Sequence, residues 1–402
     1  MFAARLPFVH LPGQPWLTGL PRFGQWVAPG PSRNQSPEGN IVNFKRLGSI
    51  AAIAVAGAIV LSSCAANEGG SSEETPSGLE GTLVGAGASS MGAAQEAWIA
   101  AFQTANPDVN ITYDPAGSGA GRETFIAGGS DFAGSDRAFK DDELAGEFGS
   151  CAPDSGIVEL PLYISPIAVI FNLEGVDTLD LDAATIAGIF AGTITTWNDP
   201  AIASQNEGVE LPATAITPVH RSDDSGTTEN FTEYLGAAAP DVWTYEADGV
   251  WPIESGEAAQ GTSGVVDAVT NGTGTIGYAD ASRAGDLGTV AVKVGDEYVP
   301  FSPEAAAAIV DASPFVEGRE AFDLAIELDR TSEEAGVYPI VLVSYTIGCE
   351  TYADEAQGAL VKAYFTYLAS PEGQAASAEA AGSAPISETL FEKVSAAIEV
   401  IK

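Results

Sequence analysis

From Leu79 onward, short apolar runs alternate with amphipathic stretches, and the alternation sorts the chain into strands and helices. Residues 81–87 read as a short strand ending in a glycine turn. Residues 91–103 read as a helix with Trp98, Ile99 and Phe102 on one side, and 109–113 as an alternating strand. A helix is expected at 122–127 and a short strand with its turn at 131–136. Residues 157–172 form a long β-rich run, interrupted by Pro161 and Pro166. Helices are expected at 183–190, 225–235 and 262–270, with strands at 216–220 and 274–279. A strand-rich stretch at 337–347 precedes two closing helices at 353–368 and 387–401. Strands that alternate with helices define an α/β fold with largely parallel sheets. The 402 residues suffice for two or three domains, and no internal repeat is visible.

Upstream of Leu79 the pattern is different. Residues 47–61 are an uninterrupted apolar and small-residue run behind Lys45 and Arg46, the n- and h-regions of a secretory signal. The run is shorter than the roughly 20 apolar residues of a comfortable membrane span. It ends in Leu61-Ser62-Ser63-Cys64, which resembles a bacterial lipobox, so 42–63 is read as a lipoprotein signal peptide and Cys64 as the lipidated (palmitate-bearing) mature N-terminus. Residues 64–78, rich in Gly, Ser and Glu, form a flexible linker that cannot bury enough apolar surface to fold. Residues 1–41 show no apolar periodicity and are read as an extension ahead of a true start near Val42.

Charge changes the picture more than hydropathy does. Of 16 basic and 55 acidic residues, five basic ones (Arg5, Arg22, Arg33, Lys45, Arg46) and Glu38 precede Cys64. That leaves 11 against 54, a formal charge of −43. Such a surface repels nucleic acid and anionic lipid and suits a soluble monomer outside the cell. An anion site on this background has to be built from local dipoles and scarce cations. Besides Cys64 the chain holds Cys151 and Cys349, an even pair that favours a disulfide in an exported protein; two separate buried thiols are the alternative.

Three Gly/Ser-rich turns precede expected helices: Ala88-Ser89-Ser90, Gly117-Ser118-Gly119 and Asp224-Ser225-Gly226-Thr227. A helix N-terminus offers unpaired N–H groups and about half a positive charge, which binds anions. Each turn alone is more often an ordinary cap. None continues into Gly-Lys-Ser/Thr, so nucleotide triphosphates are not indicated. Arg221, four residues before Ser225, carries a guanidinium suited to a tetrahedral oxyanion, or to an ion pair with Asp223 or Asp224.

Taken in order, Gly85-Ala86-Gly87-Ala88-Ser89-Ser90, Gly117-Ser118-Gly119-Ala120-Gly121, Asp131-Phe132-Ala133-Gly134-Ser135-Asp136 and Arg221-Ser222-Asp223-Asp224-Ser225-Gly226-Thr227 resemble the phosphate-binding lipoproteins of bacterial phosphate ABC transporters. The resemblance covers nearly all of 79–402. It implies an α/β two-lobed periplasmic-binding-protein (Venus flytrap) fold with two crossover strands and a ligand cleft between the lobes. Lobe I is then 79–164 plus 336–402, lobe II 165–335, and the crossovers fall at 161–171 and 339–345. It further implies phosphate contacts from Ser89, Ser90, Ser118 and Asp136 on lobe I and from Arg221, Ser225, Gly226 and Thr227 on lobe II. A Cys151–Cys349 bridge lies within lobe I and does not block closure. Where many relatives read Ala-Thr-Phe-Pro, this chain has Ala88-Ser89-Ser90-Met91, which keeps the hydroxyl at Ser89 and adds one at Ser90.

The implied function is extracytoplasmic capture of inorganic phosphate and its delivery to the transmembrane permease subunits of an ABC importer with a cytoplasmic ATPase. The protein is then no enzyme, needs no cofactor or metal, and is anchored to the cell membrane through Cys64. Asp136 gives the selectivity a chemical basis. Phosphate at neutral pH keeps a proton that a buried carboxylate can accept, whereas sulfate and molybdate offer none. The alternative for Asp136 is an ion pair with Arg137 or Arg221. A Ser-His-Asp hydrolase built from Ser225, His220 and Asp223 or Asp224 lacks a Gly-x-Ser-x-Gly elbow, and no metal-ligand spacing supports a phosphatase. An adhesive surface lipoprotein with a repurposed cleft is the remaining reading.

Overall fold

The computed structural model describes residues 78–402. The 1–41 extension, the 42–63 signal peptide, the lipidation site Cys64 and the linker as far as residue 77 lie outside the described residues.

The chain first builds one α/β lobe from β1 (Gly81–Gly87), α1 (Gly92–Ala105), β2 (Val109–Asp114), α2 (Ser118–Ile126), β3 (Phe132–Ser135) and the one-turn α3 (Asp141–Leu144). Ala94, Trp98 and Phe102 recur every four residues on α1 and are buried, so one stripe faces the sheet. β1 pairs in parallel with both β2 and β3, which brings the three Gly/Ser-bearing strand ends to one edge.

β4 (Ile157–Asn172) then leaves this lobe and enters the next. The second lobe holds β5 (Thr178–Leu181), α4 (Ala183–Phe190), α5 (Pro200–Ala203), β6 (Thr217–Arg221), α6 (Gly226–Ala238), β7 (Glu257–Ala259), α7 (Gly261–Asn271), β8 (Thr275–Asp280), β9 (Gly288–Val294), β10 (Glu297–Val299) and α8 (Pro303–Ala312). β11 (Val341–Cys349) returns to the first lobe, which α9 (Glu355–Ala369), α10 (Pro371–Ala381) and α11 (Glu388–Glu399) complete. The strand order β2-β1-β3-β11-β4-β8-β6-β7 runs through both lobes, joined at β4 and β11.

Four expectations need correction. The sheets are not largely parallel. β1 with β2 and β3, β6 with β7 and β8, and β5 with β9 are parallel, but β4 and β11 pair antiparallel with every strand beside them, as do β9 and β10 in their hairpin. Two crossover strands that run in opposite directions must pair that way.

Nor do the prolines interrupt β4. The register with β11 shifts between Ser344 and Tyr345, which face Tyr163 and Pro161, so Leu162 is an extra residue in a bulge beside Pro161. Pro166 is the last β4 residue paired with β11, and Ile167 starts the pairing with β8. Each proline thus sits where a ladder hydrogen bond is already absent.

The second helix begins at Ser118, four residues before the expected start, and three helices close the chain rather than two. α10 escapes detection because its buried positions are Gly373, Gln374, Ser377 and Ala381, small or polar residues with no large apolar stripe. It packs on α1, whose Trp98 Nε1 donates to Gly373 O at 2.7 Å.

Cys151 and Cys349 form the expected disulfide, with Cα atoms 5.3 Å apart and a sequence separation of 198. It ties the loop after α3 to the end of β11. Where β8 meets β4, Asp280 is wholly buried and accepts from Tyr163 Oη (2.9 Å), from Ser282 N (3.0 Å) and from Ser282 Oγ. Burial pushes its carboxyl up to about 6, against the pull of these hydrogen bonds. No described helix is long and apolar enough to cross a membrane.

Replacing both Cys151 and Cys349 by Ser is expected to lower unfolding stability by about 2–5 kcal/mol, read from urea unfolding of the oxidised wild type and the double variant. For Asp280 the folded carboxyl binds its proton more tightly than the unfolded one. Its contribution to stability is therefore largest below the unfolded value and is lost as pH rises through about 6. Asp280→Asn should flatten that part of the stability-versus-pH curve.

Candidate functional site

The site grows around Asp136, which follows β3 and is 3% exposed. Its Oδ1 accepts from Ser90 Oγ at 2.6 Å and from Ser344 Oγ at 2.8 Å, and its Oδ2 accepts from Thr227 Oγ1 at 2.9 Å. These three hydroxyls come from the turn before α1, from the returning crossover β11 and from the first turn of α6. The Asp136 backbone is held as well: its N–H donates to Ser118 Oγ (3.1 Å), and its carbonyl accepts from Asn230 Nδ2 (2.6 Å). Both lobes and a crossover strand therefore meet at one carboxylate.

Local sequence explains the positions. Gly117 has φ 111°, a conformation that L side chains rarely adopt, and it turns the chain so that Ser118 opens α2. Ser225 caps α6 by accepting from Thr228 N at 3.2 Å. Gly226 then starts the helix pressed against lobe I: a Cβ there would lie 2.6 Å from Asp136 Cβ and 2.7 Å from Ser118 Oγ. The lobes are closed on each other at this point.

Arg221 ends β6 with its side chain 2% exposed. Its Nε donates to Asp223 Oδ1 at 2.8 Å, and Nη2 pairs with Asp223 Oδ2. The ion pair weighed from the sequence exists, but it is buried, and it aims the guanidinium at the Gly117 turn, where a Cβ would be 3.7 Å from Nη2. Burial opposes the charge of Asp223, yet Arg221 and the Gly261 N–H hold its carboxyl below the usual range. Tyr278 supports Arg221 from beneath. Its Oη accepts from Arg221 N (3.3 Å) and lies 2.8 Å from Thr228 Oγ1, and burial pushes it up to about 12.

Of the eight residues expected at the ligand, Ser90, Ser118, Asp136, Gly226 and Thr227 converge directly, and Arg221 reaches the same turn. Ser89 and Ser225 are engaged otherwise. Ser89 Oγ accepts from Thr262 N (3.1 Å) at the start of α7 and lies 3.0 Å from Thr262 Oγ1, while the Ser225 hydroxyl caps its own helix. The ion pairs of the two arginines weighed for Asp136 run elsewhere: Arg137 to Glu143 and Glu229, Arg221 to Asp223.

Ser344 and Asn230 were not anticipated. Ser344 is the one hydroxyl in the apolar run Val341-Leu342-Val343-Ser344, and that break in the pattern was its only signal. His220 Nδ1 lies 2.9 Å from Arg221 O and its ring stacks on Trp251, so the described residues hold no His–Ser pair for a hydrolase. No group of three or more His, Cys, Asp or Glu that could hold a metal occurs among them either.

A two-lobed α/β cleft closed around buried hydroxyls, one arginine and a helix start defines a solute-binding protein. The family model described as a PBP superfamily domain matches residues 71–372. Phosphate-binding protein PstS2 of Mycobacterium bovis is 32% identical over 385 residues, which covers 90% of this chain and 100% of that protein. Phosphate-binding protein PstS 3 of Mycobacterium tuberculosis is 34% identical over 338 residues, 80% and 90% of the two chains. The chain belongs to the PBP superfamily and, within it, to the PstS-type phosphate-binding proteins.

Two solved structures agree in fold. PfluDING, a high affinity periplasmic phosphate-binding protein bound with phosphate at pH 8.5, superimposes with TM-score 0.62 at 22% identity over 79% of this chain and 93% of its own. The phosphate-binding protein of Stenotrophomonas maltophilia gives 0.57 at 21% identity over 79% and 93%.

Gly226→Ala is expected to wedge the lobes apart, because the added methyl has only Asp136 and Ser118 to displace. Small-angle scattering should read a larger radius of gyration than wild type, with the melting temperature nearly unchanged.

Proposed function

We propose that this protein captures inorganic phosphate outside the cytoplasm and passes it to the permease of an ABC importer. The observation that carries this reading is the carboxylate of Asp136, buried in a ring of hydroxyls from both lobes. A carboxylate offers about four acceptor positions. Three of those on Asp136 take Ser90, Ser344 and Thr227, which leaves one on Oδ2, beside Thr227, for a proton on the ligand. Monohydrogen and dihydrogen phosphate bring that proton. Sulfate brings none and would face the carboxylate as a second anion, with a penalty of about 1–3 kcal/mol or more for the unpaired buried group.

Arg221, preset by Asp223, supplies the positive charge. The N–H groups at the starts of α2 and α6 supply donors, with Ser118, Gly226 and Thr227 at those starts. Ser90 contributes its backbone N–H. Ser89 and Ser225 complete the set when the ligand draws their hydroxyls inward. Lobe I comprises about 79–164 and 336–402 and lobe II about 165–335, with Arg319 and Leu324 of the latter span reaching back to Phe139 and Glu159.

Cys64 is the lipid anchor, left by cleavage of the 42–63 signal, and the linker lets the binding unit swing above the membrane. Permease subunits dock across both lobes, because only closure reports loading. The protein acts as a monomer and needs no cofactor. The names of the mycobacterial relatives and the phosphate bound in PfluDING support the ligand assignment.

Calorimetry on the protein stripped of bound phosphate tests the reading. Phosphate should bind one to one and sulfate should give no heat. Asp136→Asn should narrow the gap between the two anions about tenfold or more. A folded protein that binds no phosphate rejects the function, and unchanged selectivity in Asp136→Asn rejects the role of Asp136.

A further inference from the structure

Of the 11 basic residues from Cys64 onward, Arg137, Lys140 and Arg330 pair with Glu229 or Glu233 of α6, and Arg122 faces Asp224 just before that helix. In so acidic a chain that concentration calls for a reason, and the partners supply one. Glu229 lies in the first turn of α6 with its side chain 5% exposed. Both of its cations belong to lobe I: Lys140 Nζ lies 2.8 Å from Oε1, and Arg137 Nε lies 2.7 Å from Oε2. The Arg137 N–H points off the line to Oε2, so that contact is one of charge rather than an aligned hydrogen bond.

Arg137 is set in place before lobe II arrives. Glu143 of lobe I takes its Nη1 at 2.6 Å and its Nη2 at 3.1 Å. Burial opposes the charge on Glu143, but Arg137, the Lys140 amide and the Arg122 charge hold its carboxyl down at about 2. Farther along α6, Arg330 fixes the helix to the second crossover. It donates from Nη1 to Pro339 O (3.3 Å) and Val341 O (3.1 Å) and from Nη2 to Asn230 Oδ1 and Glu233 Oε2 (2.9 Å). Arg122 Nη2 faces Asp224 Oδ1 at 3.7 Å, a longer contact across the same cleft.

We propose that Glu229, gripped by Arg137 and Lys140, is an electrostatic latch that holds the lobes closed and sets the rate at which the bound anion leaves. Its carboxylate is buried between the lobes, and both of its ion-pair partners belong to the opposite lobe. Opening hydrates Glu229 and separates it from both cations, whereas Arg137 keeps Glu143. Closure is favoured because α6 brings one anion between two cations that lobe I already holds apart. No side chain of the latch bonds to a side chain assigned to the ligand, so it acts on the lifetime of the closed state and leaves the choice of anion to Asp136. The latch uses the phosphate reading only for its kinetic readout.

The test uses the full chain with Glu229→Gln, Glu229→Asp and Lys140→Gln. Lys140 is half exposed, so its variant keeps the fold even if those at Glu229 do not. Stopped-flow release of phosphate should be about tenfold faster in Glu229→Gln, faster by a smaller factor in Lys140→Gln, and partly restored in Glu229→Asp. Association and the preference for phosphate over sulfate should stay put. Raising ionic strength should change release from wild type little, because a pair buried in the closed state is screened far less than one at the surface.

Scattering on the phosphate-free chain decides the latch without the ligand. At low ionic strength wild type should have a smaller radius of gyration than Glu229→Gln or Lys140→Gln. Equal release rates in folded variants, or equal radii in the ligand-free chain, overturn the latch. Wild type that binds no phosphate overturns the functional reading instead, and the scattering comparison still settles the latch.

Discussion

Everything in the cleft depends on keeping a negative charge at Asp136 out of water. An isolated carboxylate in that position would be prohibitive, and it is tolerated because hydroxyls from three separate elements donate to it. Ser90 comes from the first lobe, Thr227 from the second, and Ser344 from the strand between them. The hydrogen bond from Thr227 exists only while the lobes are together. On the proposed reading, the carboxylate that selects a protonated oxyanion is also the one that registers closure. Selection and motion are coupled through the same atom.

The crossover strands make that arrangement possible. β4 pairs with β11 over its first part and with β8 over its second, and its two prolines occupy the bulge and the change of partner. β11 carries Ser344 into the site, and at its far end Cys349 is bound to Cys151. One strand is thereby anchored covalently in lobe I while it presents a donor to Asp136. Phe231 of α6 stacks on Tyr278, which stacks on Trp251, and this series of rings packs the helix onto its lobe.

Charge explains how an acidic protein can bind an anion. The surface charge slows approach, but it is screened over about 10 Å at ordinary salt and hardly reaches a desolvated cleft. Four of the arginines lie where water is largely excluded. Arg221 is buried beside Asp223, Arg122 and Arg330 are buried against acids of their own or the opposite lobe, and Arg137 is largely covered by Glu143 and Glu229.

The sequence alone determined the α/β class and most of the strands and helices, because caps, periodicity and glycine turns act over a few residues; it favoured the cysteine pair, and the family resemblance pointed to Ser90, Ser118, Asp136, Gly226 and Thr227. Its errors have equally local causes. α10 buries small and polar side chains, so its stripe is invisible, and the prolines of β4 look like breaks until a bulge and a change of partner are seen. Only the tertiary structure decided that Ser344, 208 residues from Asp136, donates to it, that Ser89 binds the start of α7, and that Glu229 lies between two cations of the other lobe. Those contacts follow from strand register and lobe closure, which are set by pairings between distant segments and leave no periodic mark along the chain.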